Sequence, residues 1–128
     1  MSYKPILLIA GEPNSIFLEI FFKTLKFHKI KSPIILISSE KILKKQMKKL
    51  KFKKKIKILD HKNFDNIKID NKSINLININ FNQKKDFEKI SKKSNKFIEE
   101  SFKVAFEILK SGKIYKFING PISKKYFL

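Results

Sequence analysis

Apolar positions along this chain fall into short continuous runs, separated by longer stretches in which they recur every three or four residues. Four runs stand out: Ile6 to Ala10, Pro33 to Ser38, Ile74 to Ile79 and Ile114 to Ile118. The first two are continuous rather than alternating, which is the pattern of strands covered on both faces, as in parallel sheets. Ile56 to Leu59 is a fifth, weaker candidate.

The stretches between the runs carry helical periodicity. From Ser15 to Phe27, Ile16, Ile20 and Leu25 sit among further phenylalanines, predicting a helix buried on much of its surface. From Ser39 to Leu50, Ile42, Leu43, Met47 and Leu50 fall at helical spacing behind Ser39, a suitable N-cap. The clearest helix lies in "NKFIEESFKVAFEILKSG". There Ile98, Phe102, Ala105 and Leu109 form a stripe, Lys96, Glu99, Glu100, Lys103, Glu107 and Lys110 face water, and Gly112 ends the run. Strand and helix in repeated alternation predict an α/β fold, a layered and mostly parallel sheet with flanking helices joined by right-handed crossovers. The lysine run from Lys44 to Lys57 and the polar run from Asp60 to Ser73 read as a solvated helix end and irregular connections. The lysine run also has the composition of a nuclear-localisation or polyanion-binding segment, but a solvated face is the simpler reading.

Length changes little in this picture: 128 residues suit one domain with a real core, and 42% hydrophobic content is that of a globular chain. The formal charge of +19 suggests a polyanion partner, yet every one of the 30 cations is lysine. Arginine, the residue that forks onto guanine and stacks on bases, is missing. Abundant Ile, Asn, Phe and Lys with scarce Gly, Ala and Pro is the signature of A/T-rich coding, which accounts for much of the charge without nucleic acid as a partner. There is no cysteine, so disulfides and thiolate zinc sites are excluded. No apolar stretch reaches the roughly 18 residues of a membrane span, and the N-terminus lacks the features of a signal peptide. These features predict a cytoplasmic protein without membrane contact. The ending "NGPISKKYFL" leads from a strand into an apparent helix start that finishes on Phe127 and Leu128, which predicts a single, incomplete α/β domain over residues 1–128.

Two loops carry candidate chemistry. "GEPNSIFLE", residues 11–19, follows the first strand run, and in open α/β sheets ligands gather beyond the carboxyl ends of strands. Gly11 allows the turn, Pro13 stiffens it and Glu12 is available to a crevice. The simpler alternative is a strand-to-helix turn whose acid interacts with the helix dipole. It is not a dinucleotide fingerprint, because the later glycines of G-x-G-x-x-G are missing. "NGPISKK", residues 119–125, repeats the situation: a strand, a glycine-proline turn and then Lys124, which is placed to hold a phosphate or carboxylate or is simply solvated. Two such loops at one edge of a sheet point to a shared crevice. His28 and His61 stand in no metal-binding spacing, and no G-x-S-x-G serine or cysteine nucleophile is present.

Together the loops resemble those of the 4-hydroxythreonine-4-phosphate dehydrogenase family of pyridoxal phosphate biosynthesis. That family carries G-[DE]-P-[AS]-G-I-G-P-[DE] after its first strand, and Gly11, Glu12, Pro13, Ile16 and Glu19 match. It later has a long helix, a strand and a T-[AG]-P-[IV]-x-K loop, matched here by Gly120, Pro121, Ile122 and Lys124. Order and separation agree from Lys4 to Lys124. Ser15, Phe17 and Leu18 stand where the family has Gly, Gly and Pro, and Asn119 where it has Thr, which leaves substrate specificity and activity open. The resemblance implies the N-terminal part of a longer dehydrogenase with a fold like that of isocitrate and isopropylmalate dehydrogenases. It implies a homodimer that uses NAD and a divalent metal to oxidise a small phosphorylated hydroxy-amino acid, with subsequent decarboxylation. The family's metal ligands and catalytic residues lie beyond residue 128, so none is assigned here, and the 128-residue chain alone is expected to be inactive. Glu12, Asn119 and Lys124 are the expected cleft residues. A related metal-dependent hydroxy-acid dehydrogenase, or a non-catalytic lysine-rich polyanion-binding module, are the alternatives.

Overall fold

The computed structural model describes residues 4–13, 15–62, 69–81, 92–114 and 116–121. Its elements, in chain order, are β1 (Ile6–Ile9), α1 (Phe17–Phe27), β2 (Ile34–Ser38), α2 (Glu40–Lys49), β3 (Ile56–Ile58), β4 (Ile74–Asn78), α3 (Lys92–Lys110) and β5 (Lys116–Asn119). The strands form one sheet in the order β3-β4-β2-β1-β5, and every neighbouring pair is parallel. This is the expected α/β architecture. Ile6 aligns with Ile34 on one side and with Lys116 on the other.

The chain first moves from β1 towards β3, then returns from β4 across the sheet to β5. Right-handed crossovers therefore put α1 and α2 on one face and α3 on the other, in agreement with contact of α1 with α2 and of α3 with β1 and β2. Coverage on both faces explains the continuous runs: Leu7, Ile9, Ile35, Leu36, Ile37 and Leu76 are all completely buried. Each such side chain contributes about 1.5–3 kcal/mol relative to exposure.

Three local details differ from the periodicity reading. In α1 the buried positions are Leu18, Phe21 and Phe22, whereas Ile16, Ile20 and Phe27 are 68%, 51% and 68% exposed. The helix is thus one-sided, and its apolar outer positions gave no period to read. In α3 Ile98 and Ala105 are buried as expected, but Phe97, Ser101 and Ile108 complete the inner face while Phe102 and Leu109 lie at its margin. Ser101 hides from a hydropathy pattern because its Oγ donates to the Phe97 carbonyl at 2.8 Å, which satisfies it inside the core. The last strand begins at Lys116, after the buried Ile114, rather than at Ile114.

Asparagines tie the sheet's amino edge together. Asn71 Oδ1 accepts from the Ile34 amide at 2.9 Å, and its Nδ2 donates to the Ile30 and Ser32 carbonyls at 3.1 and 2.8 Å. The buried Asn75 donates to the carbonyls of Ile34 and Asp70. Among the described residues no helix is long and apolar enough to cross a membrane.

Candidate functional site

The two motif loops lie 109 positions apart in sequence, counting from Gly11 to Gly120, and the pairing of β1 with β5 brings them side by side at the carboxyl edge. They are bonded to each other directly. The Glu12 amide donates to the Pro121 carbonyl at 2.7 Å, and the Gly120 amide donates to the Ile9 carbonyl at 2.6 Å. The glycines permit this approach. A Cβ on Gly11 would stand 2.5 Å from the Pro121 oxygen, and one on Gly120 would stand 2.2 Å from the Ala10 oxygen and 2.9 Å from Cδ1 of Phe17. Gly11 also has φ +79°, a left-handed conformation that favours glycine. Both motif glycines therefore serve loop-to-loop packing.

Glu12 is buried within this seam, 8% exposed, and its carbonyl closes a turn by accepting from the Ser15 amide at 3.2 Å. At the start of α1 the Ser15 hydroxyl accepts from the Phe17 amide at 3.3 Å. Asn119 ends β5, and its Nδ2 donates to the adjacent Gly120 carbonyl at 3.0 Å, bracing the second loop. The structure thus brings Glu12 and the Asn119 loop together; Lys124 lies outside the described residues, as does Ile122. Phe17, one of the departures from the family motif, is half-buried with its ring against Gly120.

The topology adds residues that the motifs did not indicate. The connection after β2 turns towards the α1/α2 face and that after β4 towards the α3 face, so the carboxyl ends of β2 and β4 flank a topological switch point, where open sheets place ligands. Ser38 and Ser39 are buried there. Ser39 Oγ accepts from the Ile42 amide at 3.4 Å, and Asn78 Oδ1 reaches from β4 to accept from the Glu40 amide at 2.8 Å. The α2 N-terminus is consequently capped by the protein's own side chains. The available signal was the position of "SSE" and "NIN" at the ends of two apolar runs; polar residues are so common in this chain that composition did not single them out.

Among the described residues neither implied cofactor finds a site. No group of three His, Cys, Asp or Glu able to hold a metal ion occurs among the described residues. Gly11 packs on the backbone of Gly120 and Pro121, and Gly120 on that of Ala10, so the two glycines form no open cradle for a pyrophosphate.

No protein-family model matches the chain, and none of the curated proteins matches it. In structure it is similar to the crystal structure of a 4-hydroxythreonine-4-phosphate dehydrogenase from Burkholderia phymatum, with a TM-score of 0.82 and 19% identity over 98% of this chain. The corresponding enzyme from Klebsiella pneumoniae gives 0.79 and 17% over 95%, and a putative one from Salmonella typhimurium gives 0.78 and 17% over 95%. The chain spans only 38%, 38% and 39% of those three structures. The fold of this portion is the one found in those dehydrogenases.

Proposed function

We propose that this chain is the N-terminal portion of a cytoplasmic dehydrogenase that oxidises a phosphorylated hydroxy-amino acid with NAD, in the manner of the 4-hydroxythreonine-4-phosphate dehydrogenases, with decarboxylation following. The observation that carries this reading is the seam between the two motif loops. Two short backbone hydrogen bonds, from Glu12 to Pro121 and from Gly120 to Ile9, join the two loops that motif order assigns to one cleft, at the carboxyl edge of the sheet. The β5 surface supports a larger assembly. All four β5 residues are exposed, including Phe117 at 39% and Ile118 at 55%, whereas parallel strands are ordinarily covered on both faces. Further polypeptide covering β5 resolves that exposure, and dimerisation belongs to that longer chain.

Within the proposal the chain's own residues build one wall of the cleft. The Gly11 and Gly120 contacts fix its geometry, Asn119 holds the second loop's carbonyl, and Lys124 supplies a cation for the substrate phosphate. The described residues fit neither a metal nor a dinucleotide, and the groups that hold both belong to the remainder of the proposed protein. The Phe17 ring against Gly120 occupies space beside this wall, which favours a related hydroxy-acid substrate as the second reading.

Steady-state kinetics on the longer protein test the assignment. Lys124→Ala raises KM for 4-hydroxythreonine-4-phosphate by about tenfold or more, the loss of one charge-assisted contact, and leaves KM for NAD unchanged. An unchanged substrate KM removes Lys124 and this wall from the site. The 128-residue chain alone releases no NADH.

A further inference from the structure

The face opposite α3 carries a feature that the dehydrogenase reading does not use. Two open depressions of about 200 and 430 Å³ adjoin at Phe52, the smaller between α1 and the segment that follows α2 and the larger between α2 and that same segment. The smaller is lined by Phe22, Phe27 and Leu50 with Lys23, Lys26 and Lys51. The larger is lined by Met47 and Ile56 with Lys44, Lys53 and Lys54. The apolar side chains form the floor: Phe22 and Met47 are buried, and Phe52 stacks on Phe22 with ring centroids 4.7 Å apart and planes 11° from parallel. Phe27 stands at the mouth, 68% exposed, with Lys26 Nζ 5.5 Å from its ring centre.

Charge and shape select the occupant. Glu19 and Glu40 are the acids of the lining, and each is already ion-paired along its own helix, to Lys23 and Lys44, at 3.4 Å. Lys51, Lys53 and Lys54 add three further positive charges to the lining. Lys51 is also held at φ +54°, a left-handed conformation, by the helix-ending bond from the Phe52 amide to the Met47 carbonyl at 2.9 Å. A second copy of this chain is disfavoured, since each carries +19. A nucleic-acid duplex offers charge but nothing for a concave apolar floor, because such interfaces are polar.

We propose that this groove docks an acidic amphipathic segment of a partner protein, its bulky apolar side chains seated on Phe22 and Phe52 and its carboxylates among the lysines.

The test is fluorescence anisotropy with the 128-residue chain and four labelled probes of about sixteen units each. These are a glutamate-rich peptide with Leu and Phe at helical spacing, the same residues scrambled, oligo-glutamate and oligo-dT. The amphipathic peptide is expected to bind about tenfold tighter than the other three, a difference that persists at high salt because its apolar share is not screened. Lys51→Glu with Lys54→Glu lowers that affinity about tenfold, while Lys96→Glu with Lys103→Glu, on the opposite face, changes it less than about threefold. Phe27→Ala, a change at an exposed position that does not threaten folding, weakens the amphipathic peptide and leaves oligo-glutamate unchanged. Equal binding of oligo-glutamate, oligo-dT or the scrambled peptide, an equal effect of the α3 reversals, or no effect of Phe27→Ala overturns the proposal.

Discussion

Gly120→Ala probes the seam between the loops. The added methyl would lie 2.2 and 2.7 Å from the Ala10 oxygen and carbonyl carbon and 2.9 Å from Cδ1 of Phe17. The Phe17 ring can rotate, but the Ala10 backbone is continuous with β1, the strand paired on both sides, and cannot retreat without disturbing the sheet. Relief therefore moves the second loop outward, which breaks the 2.6 Å bond from Gly120 to Ile9 and the 2.7 Å bond from Glu12 to Pro121. Two hydrogen bonds at about 1 kcal/mol each, with about 1–3 kcal/mol for overpacking, give a loss of about 3–5 kcal/mol. That is a large fraction of a typical domain's stability. Gly112→Ala is the reference: Gly112 has φ +77° but no atom within 4 Å of the Cβ position, so it costs only the left-handed conformation, about 1–2 kcal/mol. Urea unfolding followed by circular dichroism measures both variants. A loss for Gly120→Ala no greater than that for Gly112→Ala would refute the steric account of the seam.

Lys51→Gly relieves a left-handed residue at the end of α2 and is expected to raise stability by about 1 kcal/mol, read as a higher urea midpoint with unchanged slope; a lower midpoint contradicts the assigned backbone conformation. Asn71→Ala removes three hydrogen bonds at the start of β2 and is expected to cost about 2–3 kcal/mol. Asn71→Asp keeps the acceptor for Ile34 but turns a carboxylate on two carbonyls, so it should not rescue the loss in the same melt. Ser39→Ala and Asn78→Ala each remove a cap from α2 and cost about 1 kcal/mol; because both serve one helix start, the double variant should depart from additivity in a double-mutant cycle.

The sheet was legible because three of its strands, β1, β2 and β4, are apolar runs buried on both faces, and β5 kept enough apolar residues to be read although all four of its residues are exposed. β3 was weaker in sequence because Lys57 and Ile58 are exposed, leaving little pattern in three residues. The orientation of α1 was not legible: Ile16, Phe17, Leu18, Ile20, Phe21 and Phe22 surround the helix, and only tertiary contact decides which side turns inward. Ser101 and Asn75 escaped for the opposite reason, being polar side chains buried on bonds to backbone carbonyls. At the candidate site, the proximity of the two loops followed from motif order and the strand-end rule. Their contact through glycine and the capping of α2 by Asn78 depend on β1 lying beside β5 and β2 beside β4, non-sequential pairings that local pattern does not encode.

The most direct test of the dehydrogenase assignment is NADH formation at 340 nm by the full-length protein, with NAD and either 4-hydroxythreonine-4-phosphate or unphosphorylated 4-hydroxythreonine. The account predicts NADH in proportion to enzyme with the phosphorylated substrate and a rate lower by about two orders of magnitude without the phosphate, because a charged contact is lost from the second loop. Equal rates with both substrates, or no NADH with either, would contradict it.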